Sequence, residues 1–197
     1  MLALGIDPDL HNTALALVRH DPALGSMLSK PSGYVVERVC VCSIDKRLRG
    51  AAAVMAMENA LYHQMVSMRG WLIHRTIVEG QEIYRGKTGN PADILRIAQV
   101  AGGALASAQA LPGDTLLPTP NEWKGSVPKE IHQGRTCTKL GWRFEKRAGY
   151  VVPIEPDGFV NCGTAAMRDS DWKHVLDAIG LAIWGIEQAA KAARRAT

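Results

Sequence analysis

Leu2-Ala-Leu-Gly-Ile-Asp7-Pro8 decides how this chain is read. A short, mostly apolar run ends in a lone carboxylate and is broken at once by proline. The run is strand-length, so it reads as a buried strand with Asp7 at or near its end. An unpaired charge beside such a strand is costly to desolvate. Two explanations fit. Asp7 is solvated and begins a turn, as Asp-Pro often does, or it faces a cleft where a metal or a basic group neutralises it.

The pattern recurs. Leu72-Ile-His-Arg-Thr-Ile-Val78 runs through β-branched residues into Glu79, followed by Gly80-Gln81. Farther on, Asp171 to Trp184 is helical in period, with an apolar stripe of Val175, Ile179, Ala182, Ile183 and Ile186. On that helix His174 and Asp177 are three residues apart and share a face. Two strand carboxylates with a helical His/Asp pair supply oxygen-rich ligands and one imidazole, a set that suits a pair of Mg²⁺ or Mn²⁺ ions.

Composition narrows the classes. The chain has 197 residues, 47% of them hydrophobic, enough for a sizeable core, and residues 1–197 are expected to form a single domain. No apolar run is long enough to span a membrane, and no secretory signal is visible at the N-terminus. The cysteines Cys40, Cys42, Cys137 and Cys162 form no Cys-x-x-Cys motif and are read as reduced thiols. The net charge is +4. Between Asn121 and Tyr150 seven lysines and arginines stand against three glutamates, a surplus equal to the charge of the whole chain. Either a polyanion is bound there or the region is an ordinary solvated helix surface.

Along the chain, strands are expected at about 2–7, 13–19 and 34–43, with a turn at 9–12. A helix over 49–68 with Gly70 as C-cap follows, then a strand over 73–79. A helix capped by Asn90-Pro91 should run to about 111, followed by a short strand at 115–118. The basic region, a loop over about 150–168 and a last helix from about 171 to 194 complete the order. A meander of strands followed by alternating strands and helices predicts an α/β fold, a mixed sheet covered by helices.

Gly5-Ile6-Asp7-Pro8, Ile77-Val78-Glu79-Gly80-Gln81 and His174-Val-Leu-Asp177-Ala178, in this order and spacing, resemble the RuvC-type Holliday junction resolvases of the ribonuclease H-like superfamily. Pro120-Asn-Glu-Trp-Lys124-Gly-Ser-Val-Pro-Lys129 resembles that family's basic segment before the last helix. The chain departs from the family at Asp9, where glycine is usual, and in the tracts 83–89 and 150–168, which suggests a divergent, phage-type branch.

The resemblance implies a ribonuclease H-like mixed sheet, with antiparallel first strands and then parallel ones. It implies hydrolysis of a DNA phosphodiester with two Mg²⁺ or Mn²⁺ ions per active site. Asp7 would bridge the ions, Glu79 and Asp177 would each bind one, and His174 would be a ligand or orient the water. Lys124, Lys129, Arg85, Lys87 and Lys139 would contact phosphates. As surface lysines, Lys124 and Lys129 should matter to DNA binding and little to stability. The partners implied are branched DNA, foremost four-way junctions, and a second copy of the chain in a homodimer packed through the small residues of the second helix. No membrane and no nucleotide cofactor are expected, and the place of action is the cytoplasm of a bacterium or a phage-infected host.

Three other readings share parts of this pattern. A nuclease for flaps or forks would use the same fold. A sugar-kinase or actin-like ATPase would need a second phosphate-binding hairpin, and no Gly-Asp-Gly-type segment is present. A non-catalytic DNA-binding module would lack a carboxylate, whereas Asp7, Glu79 and Asp177 are all there.

Overall fold

The computed structural model describes residues 1–23, 32–81, 90–156, 160–162 and 167–196. The strands β1 (Leu2–Asp7), β2 (Asn12–His20) and β3 (Tyr34–Ser43) pair as an antiparallel meander. β4 (Arg75–Val78) and β5 (Asp114–Leu116) continue the sheet from the other side of β1, both in parallel. β6 (Arg143–Arg147) and β7 (Tyr150–Ile154) form a separate hairpin, and β8 (Val160–Asn161) pairs in parallel with β3. The main sheet is therefore ordered β5-β4-β1-β2-β3-β8. It is the expected mixed α/β architecture, flanked by helices.

The helices are α1 (Gly50–Ser67), α2 (Pro91–Ala108), α3 (Pro120–Lys124), α4 (Lys129–Leu140) and α5 (Trp172–Arg195). Asn90 caps α2 as its sequence predicts, its side-chain oxygen accepting from Ala92 N at 3.1 Å. At the end of α1, Met68 rather than Gly70 takes the cap, in right-handed conformation.

The pleat decides which way the functional carboxylates point. Leu2, Leu4 and Ile6 of β1 pack with Leu15, Leu17, Cys40, α1 and α2 in one core. Ala3 shares the opposite core with Ile77 and the apolar face of α5. Side chains alternate across a strand, so Gly5 and Asp7 belong to the α5 face with Ala3. The same parity places Glu79 with Ile77 on that face. Leu4 and Ile6 are fully buried, each stabilising the fold by about 2 kcal/mol. A one-residue slip would turn them to the wrong face, so the large residues on one side fix the direction of Asp7 on the other.

Residues 150–154 are a strand, not the beginning of a loop. Arg143–Arg147 shows why the hairpin escaped the sequence: four of its five residues are exposed, and Arg-Phe-Glu-Lys-Arg carries almost no apolar alternation. Its partner Tyr150–Ile154 buries Val151 against α5, so β7 belongs to the core. Between Asn121 and Tyr150 the basic region resolves into most of α3, all of α4 and the first strand of this hairpin.

Candidate active site

Gly5 sets the distance between β1 and α5. A Cβ at that position would stand 1.9 Å from the carbonyl oxygen of Ala178 and 2.8 Å from Ala182 N, so only glycine lets the helix backbone lie against the strand. Asp177 is carried to the same face as Asp7, and both are buried. His174, one turn earlier on α5, brings Nδ1 to 2.8 Å from Oδ2 of Asp7. With Asp7 ionised, Nδ1 carries the proton and donates it, which leaves Nε2 as the basic nitrogen of the ring.

Glu79 is joined to this pair from the other edge of β1. Gly80 N donates to Pro118 O at 2.8 Å, tying the end of β4 to the segment that starts α3. A capping box between Thr119 and Glu122 opens that short helix. Its last turn then presents Trp123 and Lys124, whose Nε1 and Nζ both donate to Glu79 Oε1 at 3.0 Å. Lys124 Nζ also lies 4.8 Å from the centroid of the Trp123 ring.

Helix α4 grips Asp177. Lys129 and Gln133 are four apart and so face the same way. Lys129 Nζ pairs with Asp177 Oδ2 at 2.5 Å, and Gln133 Nε2 donates to Oδ1 at 2.9 Å. Gln133 is fully buried. Its amide also donates to Lys173 O at 2.8 Å and accepts from Val151 N at 3.2 Å, linking α4, α5 and β7 around one carboxylate.

These contacts push the carboxylates apart in acidity. Burial opposes ionisation of Asp7, yet the His174 hydrogen bond and the charge of Lys129 hold its carboxyl below the usual range. Glu79 goes the other way. Burial, then the charge of Asp7 and a hydrogen bond to it, push Glu79 up to about 8 against the pull of Lys124. Burial also raises Asp177, with Lys129 counteracting. The Lys129 ammonium, although desolvated, is held well above its ordinary value by Asp177, Asp7 and Glu79.

The structure thus brings together Asp7, Glu79, His174 and Asp177, and it adds Lys124 and Lys129 to the same cluster. Lys129 is not the free surface cation the sequence suggested, because its ammonium lies among three carboxylates. Lys139 stands elsewhere, its Nζ 2.5 Å from Glu187. Arg85 and Lys87 lie outside the described residues. Asp9 is a turn residue, accepting from His11 N and Asn12 N, and Asp171 is held by Arg168. Sequence reasoning missed Gln133. Its one signal was the four-residue step from Lys129 at the start of a helix, which any polar helix face would also show.

Among the described residues, no three His, Cys, Asp or Glu side chains are disposed as ligands around one point. Lys124, Lys129 and His174 hold the carboxylate oxygens instead. The donor set nevertheless fits hard divalent cations. Three carboxylates converge from β1, β4 and α5 with one imidazole, and Glu79 is raised beside Asp7, a repulsion that a cation relieves.

No protein-family model and no curated protein matches the sequence. Solved structures do. RuvC of Thermus thermophilus, solved in complex with a Holliday junction substrate, superposes with a TM-score of 0.62 at 16% identity, over 97% of this chain and 96% of that one. A second structure of Thermus thermophilus RuvC gives 0.61 at 16% identity, over 98% and 97%. The fold is that of RuvC. With 97% of the chain covered, the likeness of fold extends over nearly its whole length.

Proposed function

We propose that the protein is a metal-dependent endodeoxyribonuclease that resolves four-way DNA junctions, with Asp7, Glu79, His174 and Asp177 as its active site. The observation that carries this reading is the convergence of three buried carboxylates, an imidazole and two lysines from five separate elements of the chain. Asp7, Glu79 and Asp177, with His174 at Nε2, are the groups that would hold two Mg²⁺ or Mn²⁺ ions. Such ions supply an activated water and charge stabilisation for the leaving 3′-oxygen.

The chain's own groups do the rest. Asp7 fixes the tautomer of His174, so that the one lone pair at Nε2 faces either an ion or the attacking water, which it would orient. Gln133 holds one oxygen of Asp177 and fixes its rotamer. Lys124, itself braced by Glu79 and Trp123, presents positive charge where the phosphate gains negative charge in the transition state. Trp123 is nearly buried and positions Glu79 through its indole Nε1.

Paired nicks on a two-fold symmetric junction call for two active sites, so we propose a homodimer. Met55 and Tyr62, seven residues apart on α1, and Leu95 on α2 are exposed apolar side chains suited to such a contact. Ala101 and Ala104 of α2 are buried within the chain and are spent on its own core.

The test is cleavage of a synthetic four-way junction, a flap and a linear duplex by the purified protein with Mg²⁺, with Mn²⁺ and with chelator. Symmetric nicking of the junction alone supports the proposal. Preferred cleavage of the flap would favour the flap or fork nuclease of the same fold, and no cleavage of any substrate would refute both.

A further inference from the structure

A cavity of about 200 Å³ opens beside Trp123, between α3, α4 and α5. Its walls include Trp123, His132, Arg135, Lys139, Trp184 and Glu187. Three features define what it can take. Its volume is below the roughly 300 Å³ at which pockets begin to hold drug-sized ligands, so it suits a fragment the size of one heterocycle. Lys124, Arg135 and Lys139 bring three cationic side chains to it against the single carboxylate of Glu187. Lys139 is neutralised by Glu187, and Lys124 is tied to Glu79 by a 3.0 Å hydrogen bond. Arg135 is exposed and makes no ion pair or hydrogen bond among the described residues, so its guanidinium is available to an anion.

The aromatic part of the wall is held rigidly. His132 packs edge-on against Trp123 with ring centroids 4.6 Å apart. Both rings rest on the bare backbone of α5 at Gly180, where a Cβ would lie 2.8 Å from His132 Nε2 and 3.0 Å from Trp123 Cζ3. His132 stays uncharged at neutral pH, lowered to about 4 by burial and by the surrounding Lys124, Lys139, Arg135 and Lys129. The wall thus offers planar, neutral ring surface beside a free guanidinium.

We infer that this cavity is a nucleotide subsite, in which Arg135 holds a phosphate and the base lies against Trp184 and the Trp123–His132 wall. The inference rests on the nuclease reading for its place in the reaction. Trp123 and Lys124 belong to both sites, so a nucleotide unstacked from a strand crossing the carboxylates would have this cavity beside it. Base–aromatic contact is tolerant of sequence and supplies affinity for unpaired bases. It would favour substrates whose bases are already unpaired near the cut, as at a junction centre.

Binding is measured by titration calorimetry in the presence of chelator, so that the carboxylates carry no divalent ion and nothing is cleaved. The probes are thymidine 5′-monophosphate, a thymidine trinucleotide and inorganic phosphate. The trinucleotide should bind, the mononucleotide should bind more weakly, and phosphate should not bind measurably. Arg135→Ala should weaken the trinucleotide by roughly tenfold, as loss of a charge-assisted hydrogen bond does. Glu187→Gln should tighten it, because it frees Lys139. Arg143→Ala removes the same charge from β6 outside the cavity and should change nothing. Binding of the mononucleotide as tightly as the trinucleotide would overturn a subsite for a nucleotide within a strand. Equal weakening by Arg135→Ala and Arg143→Ala, or no binding of either nucleotide, overturns the subsite. Junction cleavage by the same preparation is scored separately. Cleavage without nucleotide binding removes the subsite and keeps the nuclease, whereas Arg135-dependent binding without cleavage does the reverse.

Discussion

His174 Nδ1 and Asp7 Oδ2 lie 2.8 Å apart across 167 residues of sequence, and this bond couples the first strand to the last helix. It makes the two residues one unit. Asp7→Asn should cut junction cleavage by about a thousandfold or more, because it removes a carboxylate and replaces the charged acceptor of His174 Nδ1 with an amide that no longer fixes the imidazole tautomer. His174→Ala alone should cost roughly 10²- to 10⁴-fold. The double variant should fall well short of the product of the two losses, as groups acting together do. Junction binding should persist in all three variants, and Glu79→Gln and Asp177→Asn should behave likewise. Additive losses in single-turnover rates would break the coupling, and a wild-type rate in any single variant would remove the site.

Glu79 makes stability and metal binding depend on pH in a stated direction. Its folded value of about 8 lies above the ordinary glutamate value of 4.5, so the folded state binds the extra proton. The resulting stabilisation is complete below about 4.5 and is lost as pH rises through 8. Urea titrations of the metal-free protein at pH 6 and 9 should show wild type losing more stability than Glu79→Gln over that interval. Divalent ions must displace the same proton, so their binding at pH 7 should release close to one proton per protein and tighten towards pH 8. Calorimetry in buffers of different ionisation enthalpy reads that proton directly, and a buffer-independent heat would contradict the assignment.

β1, β4, α5 and the cap of α2 were legible because each carries a periodic apolar signal with an abrupt end. Leu2–Asp7 alternates large and small residues around the pleat, and α5 repeats its stripe over several turns. The carboxylates could be found because each breaks an apolar run. Gln133 could not be found, since an uncharged amide in a polar helix carries no mark of its burial. Lys129 was misread for a related reason. Its charge placed it in a basic surface stretch, while its actual surroundings come from Asp177, 48 positions later. The hairpin at Arg143–Ile154 stayed hidden because one of its strands is almost wholly solvated.

Lys129 and Lys139 should therefore respond differently to the same substitution. Lys129→Ala leaves the buried Asp177 without its cation. A fully buried pair broken this way costs about 3–5 kcal/mol, and the Lys129 side chain is 37% exposed, which screens the interaction. A loss of about 2 kcal/mol in metal-free protein is expected, with partial recovery on adding Mg²⁺. Lys139→Ala breaks a half-solvated pair with Glu187 and should stay within about 0.5 kcal/mol. Lys124→Ala should lower the slope of log affinity for junction DNA against log salt by about one. Denaturation midpoints equal for the Lys129 and Lys139 variants would show that Lys129 does not neutralise the carboxylates.

Two glycines separate packing from propensity. Gly102 lies on the exposed side of α2 with nothing within 4 Å of a built Cβ. There alanine should stabilise by roughly 0.5–1 kcal/mol through helix propensity alone. Gly5 allows no such gain. The Cβ of Gly5→Ala would fall 1.9 Å from a carbonyl oxygen of α5, and backbone cannot rotate away as a flexible side chain can. The helix must shift or the strand must bend, at a cost of about 3 kcal/mol or more. The shift would carry Asp177 and His174 away from Asp7, so cleavage should fall more steeply than the folded fraction. Measuring rate and folded fraction on the same sample distinguishes the two effects. If activity in Gly5→Ala merely tracks the folded fraction, the approach of α5 to β1 supports the fold without setting the geometry of the carboxylates.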